Sequence, residues 1–233
     1  MSSPARHRRS LAHVLPGALL AVLVLVPGCF GLRPSAGSSH AHPTAAASTG
    51  TGAPSGGYHG VVLPEPVRVR PFVLTDQRGE PFRVPQDLDG RVSLLSFGYT
   101  HCPDVCPGTL AAIAVALRGL PPEVRDAVDV VFVTVDPARD TVPVLRDYVG
   151  LFSEDFVALT GTEDEIVEAL ARFGFGPPVI ADLGGGEYAV GHPAGVLAIT
   201  PDGYARLEYP FGTTVEAYRE DLARLVEEGW RQP

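Results

Sequence analysis

The hydrophobic pattern changes period several times after residue 61, and each change marks an element. Phe72 to Phe82 alternates apolar and polar residues around Gly79, which predicts a β-hairpin. Arg91 to Tyr99 carries Val92, Leu94, Leu95 and Phe97 and predicts a buried strand. Val128 to Val135 is almost continuously apolar, as expected of a strand covered on both faces. Between these strands Leu110, Ile113, Ala114 and Leu117 fall at i, i+3, i+4 and i+7, one stripe of a helix. Similar spacing recurs in Leu145, Tyr148, Val149 and Phe152, and in Ile166, Val167, Leu170 and Phe173. Asp164 and Glu165 sit in the first turn of the latter, where the helix dipole favours acids. Gly195 to Thr200 followed by Pro201-Asp202-Gly203 predicts a strand, a turn and a return strand, and Thr213 to Glu228 closes the chain as a helix. Together these predict an α/β domain over residues 61–233, with helices flanking a mixed central sheet and an N-terminal β-hairpin extension.

Residues 1–60 read differently. Arg6, Arg8 and Arg9 precede an apolar run from Leu11 to Val26, which ends in Pro27-Gly28-Cys29, and this layout predicts an export signal over residues 1–28. The run is shorter than the ~20 residues that span a bilayer. The small residue before Cys29 resembles the box at which bacterial lipoproteins are cleaved and acylated, so Cys29 is expected to carry lipid. The paired Arg8-Arg9 leaves a twin-arginine route open beside the general one. Residues 29–60, rich in Gly, Ser, Ala, Thr and Pro without periodicity, predict a flexible linker. The expected location is the extracytoplasmic face of a bacterial cell membrane. His40, His42 and His59 are read as linker residues.

The chain has 233 residues, 45% hydrophobic and 19% charged, a globular composition with room for one domain after the leader and linker. It contains no lysine, which excludes Schiff-base chemistry. Eighteen basic and 27 acidic residues give a net charge of -9, and removing residues 1–28 takes three Arg and no acid, leaving -12. That balance argues against a nucleic-acid partner and against charge as the membrane attachment. The only cysteines are Cys29, Cys102 and Cys106, too few for a disulfide framework or a four-thiolate zinc site.

Cys102 and Cys106 lie where the Arg91–Tyr99 strand turns into the helix carrying Leu110. Unpaired N–H groups at a helix start favour thiolate over thiol. Four residues apart, the two sulfurs project to one side of a helical turn, so they can close a disulfide or converge on one ion. The spacing of three, rather than the usual two, tilts the choice from redox exchange toward metal. His192 precedes the Gly195–Thr200 strand, and in a thioredoxin fold, the small version of this layout, the loop before that strand lies beside the cysteine turn. Two thiolates and one imidazole form a soft, three-coordinate set that suits Cu(I) and still holds Cu(II). His101 is read either as tuning the adjacent thiolate or as facing solvent.

The stretch Phe97-Gly98-Tyr99-Thr100-His101-Cys102-Pro103-Asp104-Val105-Cys106-Pro107 resembles the central motif of the Sco/SenC copper-binding proteins of respiratory membranes. Asp136-Pro137-Ala138-Arg139-Asp140-Thr141, Tyr148 to Gly161, the His192 segment and Pro201-Asp202-Gly203 are similar to its other signatures, so the resemblance runs from about Val69 to Glu227. It implies a thioredoxin-like fold, Cys102, Cys106 and His192 as copper ligands, and a tether to the membrane. The implied role is delivery of copper to the binuclear centre of cytochrome c oxidase, or reduction of that centre's cysteines. The partners would be the copper-bearing oxidase subunit and a copper donor outside the cytoplasm. The family commonly has Asp where Gly191 stands and a small hydroxyl residue where Pro193 stands, so the imidazole is expected to be less firmly oriented and metal affinity or preference to differ, with Asp136 and Asp140 as alternative support. The leading expectation is a binding protein rather than an enzyme. The competing one is a thiol-disulfide oxidoreductase in which Cys102 attacks and Cys106 resolves. A peroxiredoxin fits less well, because its usual Thr-x-x-Cys is absent.

Overall fold

A computed structural model describes residues 57–88 and 90–231. Cys29, the export segment, His40 and His42 lie outside the described residues. The elements in chain order are β1 (Val61–Arg68), β2 (Phe72–Asp76), β3 (Pro81–Val84), a 3-10 turn (Gln86–Leu88), β4 (Val92–Gly98), α1 (Val105–Arg118) and α2 (Pro122–Arg125). They continue with β5 (Val128–Thr134), α3 (Val142–Gly150), β6 (Val157–Thr160), α4 (Glu163–Arg172), β7 (Val179–Gly184), β8 (Glu187–Gly191), β9 (Val196–Ile199), β10 (Tyr204–Tyr209) and α5 (Val215–Glu227).

Eight strands form one sheet in the order β1-β10-β9-β4-β5-β6-β2-β3. The strands with the most continuous apolar runs, β4 and β5, take the centre, where they pair in parallel; β5 and β6 are also parallel, and β9 is antiparallel to β4. Every residue of β4 is buried. Paired residues of neighbouring strands point to the same face, so Phe132, opposite Ser96, meets Tyr148 of α3 while Phe97 meets Phe173, just past α4, on the opposite face. Helix α1 buries the predicted Leu110, Ile113, Ala114 and Leu117 and packs beside α5. The Thr162 hydroxyl and the Glu165 carboxylate close a reciprocal capping box at the start of α4.

The mixed sheet with flanking helices matches the expected layout, and β2–β3 is the expected hairpin extension. Its turn is held by the Asp76 carboxylate, which accepts the N–H groups of Arg78 and Glu80 at 2.8 and 2.9 Å. Helix α2 and the 3-10 turn carry no expectation from sequence, and neither do three features of the strands. Strand β1 is an edge strand with little buried surface and an irregular register between Val62 and Val67. Strand β6 has only four residues. The β7–β8 hairpin turns through Gly184, Gly185 and Gly186, all at positive φ, and forms a separate two-stranded sheet.

The expected linker boundary at residue 60 is corrected. Tyr58 is fully buried and stacks on Trp230 with ring centroids 5.2 Å apart. The buried Asp221 carboxylate accepts the backbone N–H groups of His59 at 3.0 Å and Gly60 at 2.9 Å. Residues 58–60 are therefore part of the domain. Small neighbours made them look like linker, and the acid that fastens them lies about 160 residues away.

Candidate metal centre

Strand β4 delivers the chain to a turn in which the Cys102 N–H donates to the Tyr99 carbonyl at 3.1 Å. Helix α1 starts at Val105, so Cys106 lies in its first turn, and the Cys106 N–H donates to the Cys102 sulfur at 3.5 Å. Both are free thiols and both are buried. The floor under Cys106 is Gly98: a Cβ at that position would lie 2.6 Å from the Cys106 Sγ and 2.7 Å from Phe132.

The third donor arrives from β8. His192 directly follows that strand, and its Nδ1 lies 2.8 Å from the Pro193 carbonyl oxygen. A carbonyl only accepts, so Nδ1 carries a proton, and in the neutral ring that leaves the lone pair on Nε2. Nε2 lies 3.7 Å from the Cys106 sulfur. The donor atoms of Cys102, Cys106 and His192 all fall within 4.8 Å of one another, the one such group of three found among the described residues. The Tyr99 ring packs edge-to-face on the imidazole at 5.6 Å.

The neighbouring residues divide by role. Asp140 is fully buried and accepts the Thr100 N–H at 2.9 Å, the Thr100 hydroxyl at 2.6 Å and the Thr134 hydroxyl at 2.6 Å. It fastens the turn leading into Cys102. Asp136 pairs with Arg139 and accepts the Tyr188 hydroxyl at 2.9 Å. Both carboxylates are engaged away from His192, whose ring is set instead by the Pro193 carbonyl. A Cβ at Gly191 would meet Val179 at an ordinary 3.5 Å, so the position before the histidine has room for a side chain. His101 is half-exposed, with its Nδ1 3.1 Å from the Thr100 hydroxyl and 4.0 Å from Asp140, and it is not among the converging donors.

Thiol ionisation departs from the sequence expectation. Burial pushes the Cys106 thiol well above its ordinary value, and the adjacent Cys102 and the negative Asp140 push the same way, outweighing a hydrogen bond from the Tyr99 region. Desolvation thus overrides the helix start. Tyr148, whose buried hydroxyl has no hydrogen-bond partner, is likewise pushed up by burial and then by Cys106. Uptake of a cation by this set must displace protons. Two sulfurs and an imidazole nitrogen, with no carboxylate, make a soft donor set with Cu(I) character.

Gly98, Tyr99, Arg139 and Tyr188 contribute to the site without having been given a role there by sequence, and Pro193, noted only as a departure from the family pattern, sets the imidazole through its carbonyl. Their signal lies in position: Gly98 and Tyr99 immediately precede the turn, Arg139 stands between the two acids, and Tyr188 and Pro193 flank the histidine.

A family model described as SCO1/SenC matches residues 64–227. The solution structure of apo Sco1 from Thermus thermophilus is 36% identical, with a TM-score of 0.64, covering 72% of this chain and 96% of that one. ScoI of Bradyrhizobium japonicum, solved with copper bound, is 32% identical with a TM-score of 0.61, covering 67% of this chain and 98% of that one. A SCO2-like protein of Rickettsia prowazekii is 38% identical over 134 residues, 57% of this chain and 64% of that protein, so the match spans less than two thirds of that relative. With the sheet order, the cysteine turn and the converging histidine already in place, the chain belongs to the SCO1/SenC family.

Proposed function

We propose that this chain is an extracytoplasmic copper chaperone that takes up one copper ion through Cys102, Cys106 and His192 and passes it to the binuclear copper centre of cytochrome c oxidase. The observation that carries this reading is the convergence of two free thiols and one imidazole nitrogen within 4.8 Å, with no acid among them. Copper is cargo, so the site has to release it as well as hold it. Three donors leave a position through which a recipient thiolate or imidazole can enter before the chaperone's own ligands leave. The copper-bound ScoI of Bradyrhizobium japonicum supports the choice of metal. The cytochrome c oxidase subunit as recipient, and a separate copper donor, follow from the family resemblance.

Export through residues 1–28 and acylation at Cys29 complete the reading and keep the domain at the outer face of the membrane. A SCO1/SenC family lipoprotein of Bacillus anthracis, 26% identical with a TM-score of 0.56, supports lipid attachment in this family. Among the described residues no helix is long and apolar enough to cross a membrane. Thiol-disulfide exchange draws less support, because burial and a raised thiol slow Cys106 in resolving the mixed disulfide that Cys102 would form. Exchange would still gate loading, since a Cys102–Cys106 disulfide leaves no thiolate for copper.

The test is an anaerobic Cu(I) titration of the reduced protein beside His192→Ala and Cys106→Ala, with Cu(II)–thiolate absorption followed in parallel. The expected result is one copper per chain for the wild type, weaker retention in His192→Ala and loss in Cys106→Ala. A wild type that binds no copper, or a histidine substitution that changes neither retention nor absorption, overturns the reading.

A further inference from the structure

The two halves of the donor set come from separate pieces of structure. The cysteines belong to the turn from β4 of the main sheet into α1, whereas His192 stands in the connection from β8, whose hairpin makes no ladder with that sheet, to β9, which pairs with β4. A two-stranded hairpin is marginal by itself. Any rocking of β8 moves the imidazole relative to Cys106, so the 3.7 Å approach requires a brace.

The turn between β5 and α3 meets both pieces. Asp140 holds the cysteine half through Thr100. Its neighbour Arg139 reaches the other half. The Arg139 guanidinium pairs through Nε with Asp136, donates through Nη1 to the Tyr188 carbonyl at 3.1 Å, and lies flat enough to place its central carbon 3.6 Å from the Tyr188 ring centroid. The Tyr188 hydroxyl closes the ring of contacts by donating to Asp136. The same guanidinium is 5.6 Å from the Tyr99 ring, which itself packs on His192. Arg139 therefore touches the hairpin four residues before the histidine and also the aromatic ring beside the imidazole.

We propose that Arg139 is a positioning residue, a clamp that joins the His192-bearing hairpin to the turn fastening Cys102 and Cys106 and so sets the histidine's reach to the cysteines. The planar fork is what the position uses: it pairs, donates and stacks at once, which a lysine ammonium cannot do. The proposal rests on the copper reading above for its consequence, and on the copper-free geometry for its existence.

Two arms test it on the reduced full chain, with Arg139→Lys and the milder Tyr188→Leu as variants. In copper-free protein, hydrogen exchange of residues 187–191 is expected to quicken in both variants while exchange of 92–98 stays as in the wild type. In Cu(I)-loaded protein, release to a chromophoric Cu(I) chelator is expected to quicken by about 10- to 100-fold in Arg139→Lys, the usual effect of losing a group that orients a ligand. Adding Arg139→Lys to His192→Ala is expected to give no further acceleration, because the clamp acts through that imidazole. Equal acceleration in both backgrounds overturns the proposal, as does a lysine that preserves both hairpin exchange and copper release. A wild type without copper removes the chaperone reading, and the exchange arm then decides the clamp by itself.

Discussion

A methyl group at Gly98 would press on the Cys106 sulfur at 2.6 Å and on Phe132 at 2.7 Å, neither of which ends in a flexible tail that can swing clear. Gly98→Ala is therefore expected to push the sulfur off its line to His192 while leaving the sheet paired. Overpacking of this kind costs about 1–3 kcal/mol in stability. The larger effect should appear in Cu(I) competition, where misplacing one of three donors weakens retention by at least about tenfold; a variant that melts lower yet competes for copper like the wild type would separate packing from metal geometry. Cys106 also ties stability to pH. Its folded thiol is held protonated by burial, whereas in the unfolded chain it ionises near its ordinary value of about 8.5. The stabilising difference is complete below that value and is lost as pH rises through it toward the folded value. The loss approaches about 1.4 kcal/mol per pH unit for one group. Urea unfolding of the reduced, copper-free chain should accordingly show falling stability from pH 8 to 9.5, and Cys106→Ala should flatten that slope. Buried Tyr148 and Tyr218, both also raised, act in the same sense only near pH 10 and above.

At the scale of elements, β7–β8 is where the donor set is most exposed to motion, since Val179, Ile180 and Leu183 stand largely in solvent and the hairpin lies outside the main ladder. Copper loading ties the residue after β8 to α1, so hydrogen exchange across 187–191 is expected to slow on loading while β4, buried throughout, stays unchanged; exchange unaffected by copper would mean that His192 is not drawn into the complex. The same contrast explains what could be read from sequence. Val92 to Phe97 and Val128 to Val135 are legible because a strand buried on both faces must be apolar along its whole length. The stripe from Leu110 to Leu117 is legible because one helix face meets the sheet. Strands β1 and β7 have no such obligation, and their largely exposed residues leave no period to detect. Cys102, Cys106 and His192 stand out because few residue types make a soft donor set. Arg139 and Tyr188 do not, since a guanidinium lying on an aromatic ring is created only when a turn and a strand 49 residues apart are folded together.

For the molecule as a whole, strand directions set where the start of the described chain meets the sheet. Strand β4 runs toward the cysteine turn, and β10 runs the same way, because Tyr209 pairs with Val196 and Val196 with Ser96. Phe211, just beyond β10, comes within 3.6 Å of where a Cβ on Gly108 would stand, in the opening turns of α1. From there the thirteen residues of α5 run back over about 20 Å, and Tyr58 stacks on Trp230 past the helix's far end. Strand β1 runs antiparallel to β10 with Val61 opposite Glu208, so the described chain enters the sheet at the end where β4 meets the cysteine turn, but on the outer edge, three strands from β4. The join itself is part of the fold. A polypeptide beginning at Val61 loses the Tyr58 stack and the Arg224 bond to the Gly57 carbonyl, and it strips the buried Asp221 of the amides it accepts. An uncompensated buried carboxylate should lower unfolding free energy by about 2–4 kcal/mol relative to a polypeptide beginning at Ser55. Introducing Asp221→Asn into the shorter chain should return part of that loss, because the charge is what water no longer solvates. Copper stoichiometry should be one in all three proteins. Equal urea midpoints for the two lengths would mean that residues 57–60 contribute nothing to the fold, and the boundary would then move back to β1.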